Sequence, residues 1–413
     1  MNSEESAFSP QPRLITLPSS FEDDFVRGTA ELNSRFAGSG GKVFELYGSF
    51  QNGAFHSARP AKYLPLISRE KFKQHVQLAL EHGISFNYLF NAPSYANFEY
   101  SHAGRREFEE QLKFLCDCGV ASVTVAAPYL MDIIRSRFPD LEVVVSTIAY
   151  VGAQRGISQF EEIGASRIVL DVEMNRDFRF LKKVLSAAKV DLEIVVNPVC
   201  LYQCHFKFNH YCTAAFGGHS HENGSGHPYN QYYLNWCYLE KLKTPGEFLR
   251  SPWVRPEDLP VYEELGMHHF KIAGRGLSGD ELLRRAAFYL KGSFEGNLLD
   301  LLGWPHWLQF RKSAAGELLE PLEIALENKK MTGFLDYFRK REPDCRLGCS
   351  GCGHCDSWAA KHLQTNGSAL LAQYVASMEA NIRGLVNHVP SEQESIHHQE
   401  QWNRVASSQG TGL

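Results

Sequence analysis

Val120-Ala-Ser-Val-Thr-Val-Ala-Ala-Pro-Tyr-Leu-Met131, Leu141-Glu-Val-Val-Val-Ser146 and Arg167-Ile-Val-Leu-Asp-Val172 are short runs rich in β-branched residues. They are separated by segments whose apolar positions recur at helical spacing. Continuous apolar runs of this length read as strands of a parallel sheet, buried on both faces. The same rhythm extends outward in both directions. It predicts strands at Val43–Tyr47, Ile84–Phe90, Ser122–Ala126, Glu142–Ser146, Arg167–Val172, Glu193–Val196, Trp253–Val254 and His269–Ala273. Helices are predicted over roughly 69–82, 105–118, 129–137, 157–163, 176–188, 257–265 and 279–291, the last opened by the capping box Ser278-Gly-Asp-Glu281. Eight strands in roughly 230 residues match an α/β fold of the TIM-like (β/α)8 type, which typically takes about 250. No Gly-rich dinucleotide turn follows the first of these strands, which weakens the doubly wound alternative.

The flanks read differently. Residues 1–40 form a polar leader and a helix near Phe21–Phe36, closed by Gly38-Ser-Gly-Gly41. The barrel is placed at 41–291. A helical extension with aromatic anchors (Trp304, Trp307, Phe310, Phe334, Tyr337, Phe338) occupies 292–389, and a disordered tail rich in Ser, Gln, Glu and His occupies 390–413.

Composition narrows the function. The 413 residues carry 42 Lys and Arg against 47 Asp and Glu, a formal charge of −5 with a pI near 6.4. That gives no general electrostatic footprint for nucleic acid, so a nucleic-acid partner is not favoured. The N-terminus has neither the basic region nor the apolar run of a signal peptide, and the apolar stretch Val120–Met131 is too short for a membrane helix. A soluble cytoplasmic protein is expected, with no membrane partner.

Ten cysteines are present, and eight fall in two groups of four. Where thiols stay reduced, such grouping reads first as metal or cluster ligation. Cys200, Cys204, Cys212 and Cys237 lie in a long connection after the sixth predicted strand, between Pro198 and Pro252, with gaps of three, seven and 24 residues. Those gaps suit an iron–sulfur cluster wrapped by a loop better than the paired knuckles of a zinc ribbon. The second group, Cys345-Arg-Leu-Gly-Cys349-Ser-Gly-Cys352-Gly-His-Cys355, packs four thiols into eleven residues. It suits a second [4Fe-4S] cluster, with structural zinc the alternative. Its first three cysteines match radical-SAM spacing but lie far beyond the first barrel strand. Cys116 and Cys118, two apart on a helix, read as packing residues.

Other candidates stand at C-terminal ends of strands, where barrel enzymes place their chemistry. They are Glu45, Tyr47, Asn87, Asn91, Ser146, Thr147, Asp171, Glu173, Asn197 and Arg275. Asp171 and Glu173 share a strand face and suit proton handling, or else salt bridges with Arg167 or Arg176. Arg275 suits a carboxylate or phosphate clamp. Gly217–His227, with His219, His221 and Glu222, reads as a lid or a metal site. Tyr229, Tyr232, Tyr233, Trp236 and Tyr238 read as packing anchors or a stacking surface.

Taken together, Asn197-Pro-Val-Cys200-Leu-Tyr-Gln-Cys204-His-Phe-Lys-Phe-Asn-His210, Ser251-Pro-Trp-Val-Arg-Pro-Glu-Asp-Leu259 and Phe270-Lys-Ile-Ala-Gly-Arg275 resemble the peptidase U32 family. One branch of it reads Asn-x-x-Cys-x-x-x-Cys-Pro-x-Arg-x-x-His, and here His205 replaces the proline and Lys207 the arginine. The family's Leu-Lys-Ile-Glu-Gly-Arg carries Ala273 in place of its glutamate. The resemblance implies a [4Fe-4S] cluster on Cys200, Cys204, Cys212 and Cys237, and a redox enzyme like the family's oxygen-independent hydroxylases. Asp171, Glu173, Asn197, His210 and Arg275 are then the expected catalytic set. The expected substrate is a small molecule, peptide or modified nucleoside, and the expected partners are an electron donor and a paired U32-like subunit. The alternatives are a metal-dependent or cysteine peptidase, for which no HExxH or serine elbow is present, and a non-catalytic iron–sulfur partner subunit.

Overall fold

The computed structural model describes residues 11–60, 63–216, 230–304, 311–313 and 316–389. Eight parallel strands close into a barrel in sequence order: β1 (Arg13–Pro18), β2 (Gly41–Gly48), β3 (Ser85–Phe90), β4 (Ser122–Val125), β5 (Glu142–Val145), β6 (Arg167–Val169), β7 (Asp191–Val195) and β8 (His269–Lys271). Closure comes from β1 against β8, with Leu14 opposite His269 and Thr16 opposite Lys271. Helices α1 (Asp23–Arg35), α2 (Arg69–Glu81), α3 (His102–Cys118), α4 (Pro128–Arg137), α5 (Gln154–Ile163) and α6 (Phe178–Leu185) follow the first six strands. This is the (β/α)8 barrel expected from the sequence.

Two expectations about its chain path need correction. The first strand lies inside the segment read as a leader, because Ile15-Thr-Leu-Pro18 is a buried run too short to stand out beside polar neighbours. Trp253–Val254 is no strand. Its extended backbone makes one ladder-like bond, from Val254 N–H to Val196 O at 2.7 Å, which accounts for its strand-like composition. The barrel therefore begins at Arg13, and the cysteine-rich connection follows β7, the seventh strand.

That connection carries α7 (Lys207–Phe216), α8 (Asn230–Lys243), α9 (Gly246–Arg250) and α10 (Leu259–Glu263); α11 (Gly279–Lys291) closes the barrel, with its capping box formed. The extension adds α12 (Leu298–Leu302), α13 (Asp336–Arg341), α14 (Cys345–Cys352), α15 (His354–His362) and α16 (Ser368–Asn387). It is not purely helical, since β9 (Ile324–Leu326) and β10 (Leu363–Thr365) pair antiparallel. The tail 390–413, the stretch Gly217–His227 with Tyr229, and Trp307 and Phe310 lie outside the described residues. No helix among the described residues is long and apolar enough to cross a membrane.

Strand pleating sorts the core. Val143 and Val145 pack outward under the helices, whereas Val144 points inward with Val169 and Val195. Phe72, Val76 and Ala79 of α2 are fully buried against the outer face, where a buried phenylalanine contributes about 1.5–3 kcal/mol.

Candidate functional site

The barrel interior is charged rather than filled by aliphatic layers. Glu45, Arg167, Glu193 and Lys271, one each from β2, β6, β7 and β8, are all at most 7% exposed. Arg167 donates to Glu45 and lies 3.7 Å from Glu193, while Lys271 Nζ stands 3.9 Å from Glu193. Ser122 and Asn87 donate to Glu45, and Thr16 donates to Glu193. Burial alone would raise the Glu193 carboxyl, but Arg167, Lys271 and the Thr16 hydroxyl outweigh it and hold the group below the ordinary range.

Above this layer, at the C-terminal ends of the strands, opens a cavity of about 740 Å³, lined among others by Tyr47, Arg59, Asn197, Cys200, Lys271 and Arg275. Asn197 sits at the end of β7 and brackets residue 273, accepting from Ala273 N–H at 2.6 Å and donating to its carbonyl at 2.9 Å. The Tyr47 hydroxyl donates to Ile272 O. Asn91 donates to the Ser146 hydroxyl, and Thr147 donates to Leu170 O. Arg275 donates to the Ser57 hydroxyl at 2.8 Å. His210, on α7, is stacked between Tyr211 and Tyr233, and burial lowers its pKa.

Asp171 and Glu173 find neither expected arginine. Lys207 Nζ donates to both Asp171 oxygens at 3.0 Å and to Glu173 at 2.9 Å, which ties α7 to the end of β6. Arg167 is committed to the interior, and Arg176 donates to the carbonyls of Leu249 and Trp253. The described aromatic residues of α8 pack among themselves and on the extension: Tyr232 on Tyr233, Trp236 on Phe206, Tyr238 on Trp304.

All ten cysteines are free. Cys200 lies where the insertion leaves the barrel, its carbonyl accepting from the Ser251 hydroxyl at 2.7 Å. Burial pushes the Cys200 thiol up to about 12, with Cys237 and Cys204 adding to the rise and Lys241 opposing it. An unliganded Cys200 is thus a protonated thiol, unlike the thiolate of a cysteine peptidase. The Tyr150 hydroxyl lies within electrostatic reach of Cys212, Cys200 and Cys204. Lys241, 1% exposed, donates to Glu247 O at 3.0 Å and the Ser251 hydroxyl at 2.6 Å.

The extension carries the second set to the same end of the barrel. Cys345, Cys349, Cys352 and Cys355 line one small pocket of about 20 Å³ with Arg250, Tyr337 and His354. A non-helical Gly348 and a left-handed Gly353 (φ 64°) bend α14 and α15 around it. Arg250 bridges Glu247 and Asp356 and lies within electrostatic reach of Cys349, while Tyr337 hydroxyl and Cys352 Sγ lie 3.1 Å apart. Burial pushes Cys355 up to about 12 against the pull of Arg176 and Arg250. Tyr202, between Cys200 and Cys204 in sequence, lines a pocket with Cys345, Cys349 and Cys355, so the two sets are neighbours. Among the described residues no three His, Cys, Asp or Glu groups converge closely enough to hold a metal ion as they stand. The second set lines one pocket without forming a finished coordination sphere, whereas of the first set only Cys200 lines the barrel-mouth cavity. Cys118 is buried packing, as expected, and Cys116 is exposed.

The family model for peptidase family U32 matches residues 63–291. The chain belongs to that family. It is 29% identical over 322 residues to an uncharacterized protease of Methanocaldococcus jannaschii, covering 78% of this chain and 89% of that one. A solved U32 peptidase is 21% identical, covers 66% of this chain and 97% of its own, and superposes with a TM-score of 0.46. A D-psicose 3-epimerase solved with D-fructose is 11% identical over 49% of this chain and 80% of its own, with a TM-score of 0.31.

Within this U32 barrel, Lys207 occupies the motif position where the related pattern has arginine, and its contacts are to Asp171 and Glu173. Arg59, Lys241 and Lys271 were not among the candidates read from sequence. Lys271 had a signal, a lone cation between Phe270 and Ile272 in a strand. Arg59 had none, since its loop carries no periodicity.

Proposed function

We propose that this U32 protein is an iron–sulfur redox enzyme, with Cys200, Cys204, Cys212 and Cys237 holding one cluster and Cys345, Cys349, Cys352 and Cys355 a second. The observation that carries this is a buried cation beside each cysteine set that forms no ion pair among the described residues, the nearby carboxylates Glu247 and Asp258 being paired to Arg250 and Arg255 instead. Lys241, near Cys237 and Cys200, bonds only a carbonyl and a hydroxyl. Arg176, 7% exposed and near Cys355 and Cys345, bonds only carbonyls and lies on the Trp253 ring at 4.3 Å. A buried charge is costly without a counter-charge. Neutral thiols provide none, whereas thiolates on a cluster do.

A bound cluster would supply one-electron transfer. The chain's own residues would do the rest. Lys207, Asp171 and Glu173 hold α7 and with it the insertion. Tyr202 packs between the two sets. Cys200 borders the cavity that would admit a small molecule, a peptide or a modified nucleoside, with an electron donor or paired subunit meeting the more exposed extension. The test is anaerobic purification with iron, sulfide and zinc analysis, repeated on Cys200→Ala and Cys349→Ala. About eight irons per chain, halved in each variant, is expected for two four-iron clusters. Zinc alone, or iron unchanged in both variants, overturns the reading.

A further inference from the structure

We infer that the barrel mouth contains an oxyanion subsite formed by Arg59, Arg275 and Lys271, which receives a substrate bearing a carboxylate or phosphate group. The inference concerns the cavity of the proposed redox site but uses none of its thiols.

Charge accounting across the barrel points there. The two interior carboxylates, Glu45 and Glu193, are matched by Arg167 and Lys271. Arg59, Arg275 and Arg285 then remain, all lining the cavity and none ion-paired among the described residues; Arg285 is spent on the carbonyls of Leu301 and Asp300, which leaves Arg59 and Arg275. Their electrostatic neighbours are each other and the tyrosines Tyr47, Tyr63 and Tyr211; burial and the charge of Arg275 lower Arg59 to about 10. Among the described residues the one carboxylate on the cavity wall, Glu281, is committed to the Ser278 capping box. Two guanidinium groups brought together without a carboxylate are held against repulsion that a bound oxyanion would relieve.

A second observation is independent of that pairing. Lys271 Nζ is buried, has no hydrogen-bond acceptor and lines the same cavity, resting on the Tyr47 ring at 4.0 Å. Glu193, 3.9 Å away, balances its charge but is too far to accept a hydrogen bond, so its N–H donors find no acceptor among the described residues, and an unmade bond at a buried charged group is expensive. The local backbone serves the same arrangement. Gly274 stands at φ 137°, and a Cβ there would meet Leu277 at 2.5 Å; a Cβ at Gly276 would meet the Arg59 guanidinium at 3.0 Å. The Gly-Arg-Gly sequence thus lets Arg59 lie against the chain beside Arg275. Arginine forks suit carboxylate and phosphate oxygens, which names the ligand chemistry.

The test measures thermal stabilisation and calorimetric binding of the full chain with inorganic phosphate and with succinate. Chloride at matched ionic strength and glycerol serve as controls. Saturable stabilisation by one or both oxyanions is expected. In Arg59→Gln and Arg275→Gln, half-saturation should rise about tenfold or more, as loss of a charge-assisted bond implies. Arg106→Gln, altered on the exposed face of α3, should bind as wild type. A stronger response to succinate assigns a carboxylate, and a stronger response to phosphate assigns a phosphate ester. The inference is overturned if neither oxyanion exceeds chloride, if both arginine variants bind as wild type, or if Arg106→Gln weakens binding equally. Iron content measured on the same samples keeps this result separate from the redox reading, because oxyanion binding is expected whether or not iron is present.

Discussion

The interior of the barrel and the cysteine-lined cap above it treat buried charge in opposite ways. Inside, Glu45 and Glu193 face Arg167 and Lys271. In the cap, Lys241 and Arg176 face carbonyls and thiols. The interior carboxylates find their cations within the folded chain, whereas on the proposed reading the cap would be completed by what its thiols bind. Stability should divide along that line.

The largest effect tests the complete half. Arg167→Met leaves Glu45 without its cation and Glu193 with Lys271 alone, and should cost about 3–5 kcal/mol in urea unfolding. The same loss is expected with and without iron. Arg176→Met should chiefly lower iron loading. A cost below about 1 kcal/mol for Arg167→Met would mean that the interior charges are not structural, and the contrast fails.

A smaller effect comes from pH and belongs to the barrel alone. His75 on α2 is fully buried, 2.7 Å from the Ser19 hydroxyl and against the Phe21 ring. Burial lowers its pKa from 6.5 to about 4. The unfolded chain therefore binds the proton more readily, and stability declines as pH falls through the interval from 6.5 to about 4. The full decline is about 3 kcal/mol. His75→Gln should flatten that part of the profile. A wild-type decline confined below pH 4, or one that survives in His75→Gln, would assign acid sensitivity to the carboxylates instead.

How much of this was legible in the sequence follows the same division. Val143-Val-Val145 reads as a strand because burial on both faces demands a continuous apolar run, and seven of the eight strands announce themselves that way. β1 does not, being a six-residue strand with Thr16 at its centre, where the side chain donates to Glu193. Cys345 through Cys355 are legible because their spacing is local. The partners of Asp171 and Glu173 are not, since Lys207 arrives from 34 residues beyond Glu173 through the path of the insertion. Arg59, Lys241 and Arg176 gain meaning only from what the folded chain fails to place beside them, which no linear pattern records.

Lys207 joins the two halves, and its removal is the smallest and most discriminating perturbation. The ammonium bonds Asp171 and Glu173 and lies 4.7 Å from the centre of the Tyr150 ring. It is 13% exposed, so water softens the loss of its partners. Lys207→Met should therefore reduce global stability by only about 1–2 kcal/mol. Its effect on the cap should be larger than that figure suggests, because α7 carries Cys212 and follows Cys204 directly. The expected signature is loss of about half the iron, the half also lost in Cys200→Ala. Combining Lys207→Met with Cys349→Ala should then remove nearly all of it. Should Lys207→Met retain full iron, the acidic pair would be a fastening for the barrel rim alone, and the insertion set would have to be ordered by Lys241 and Ser251 instead.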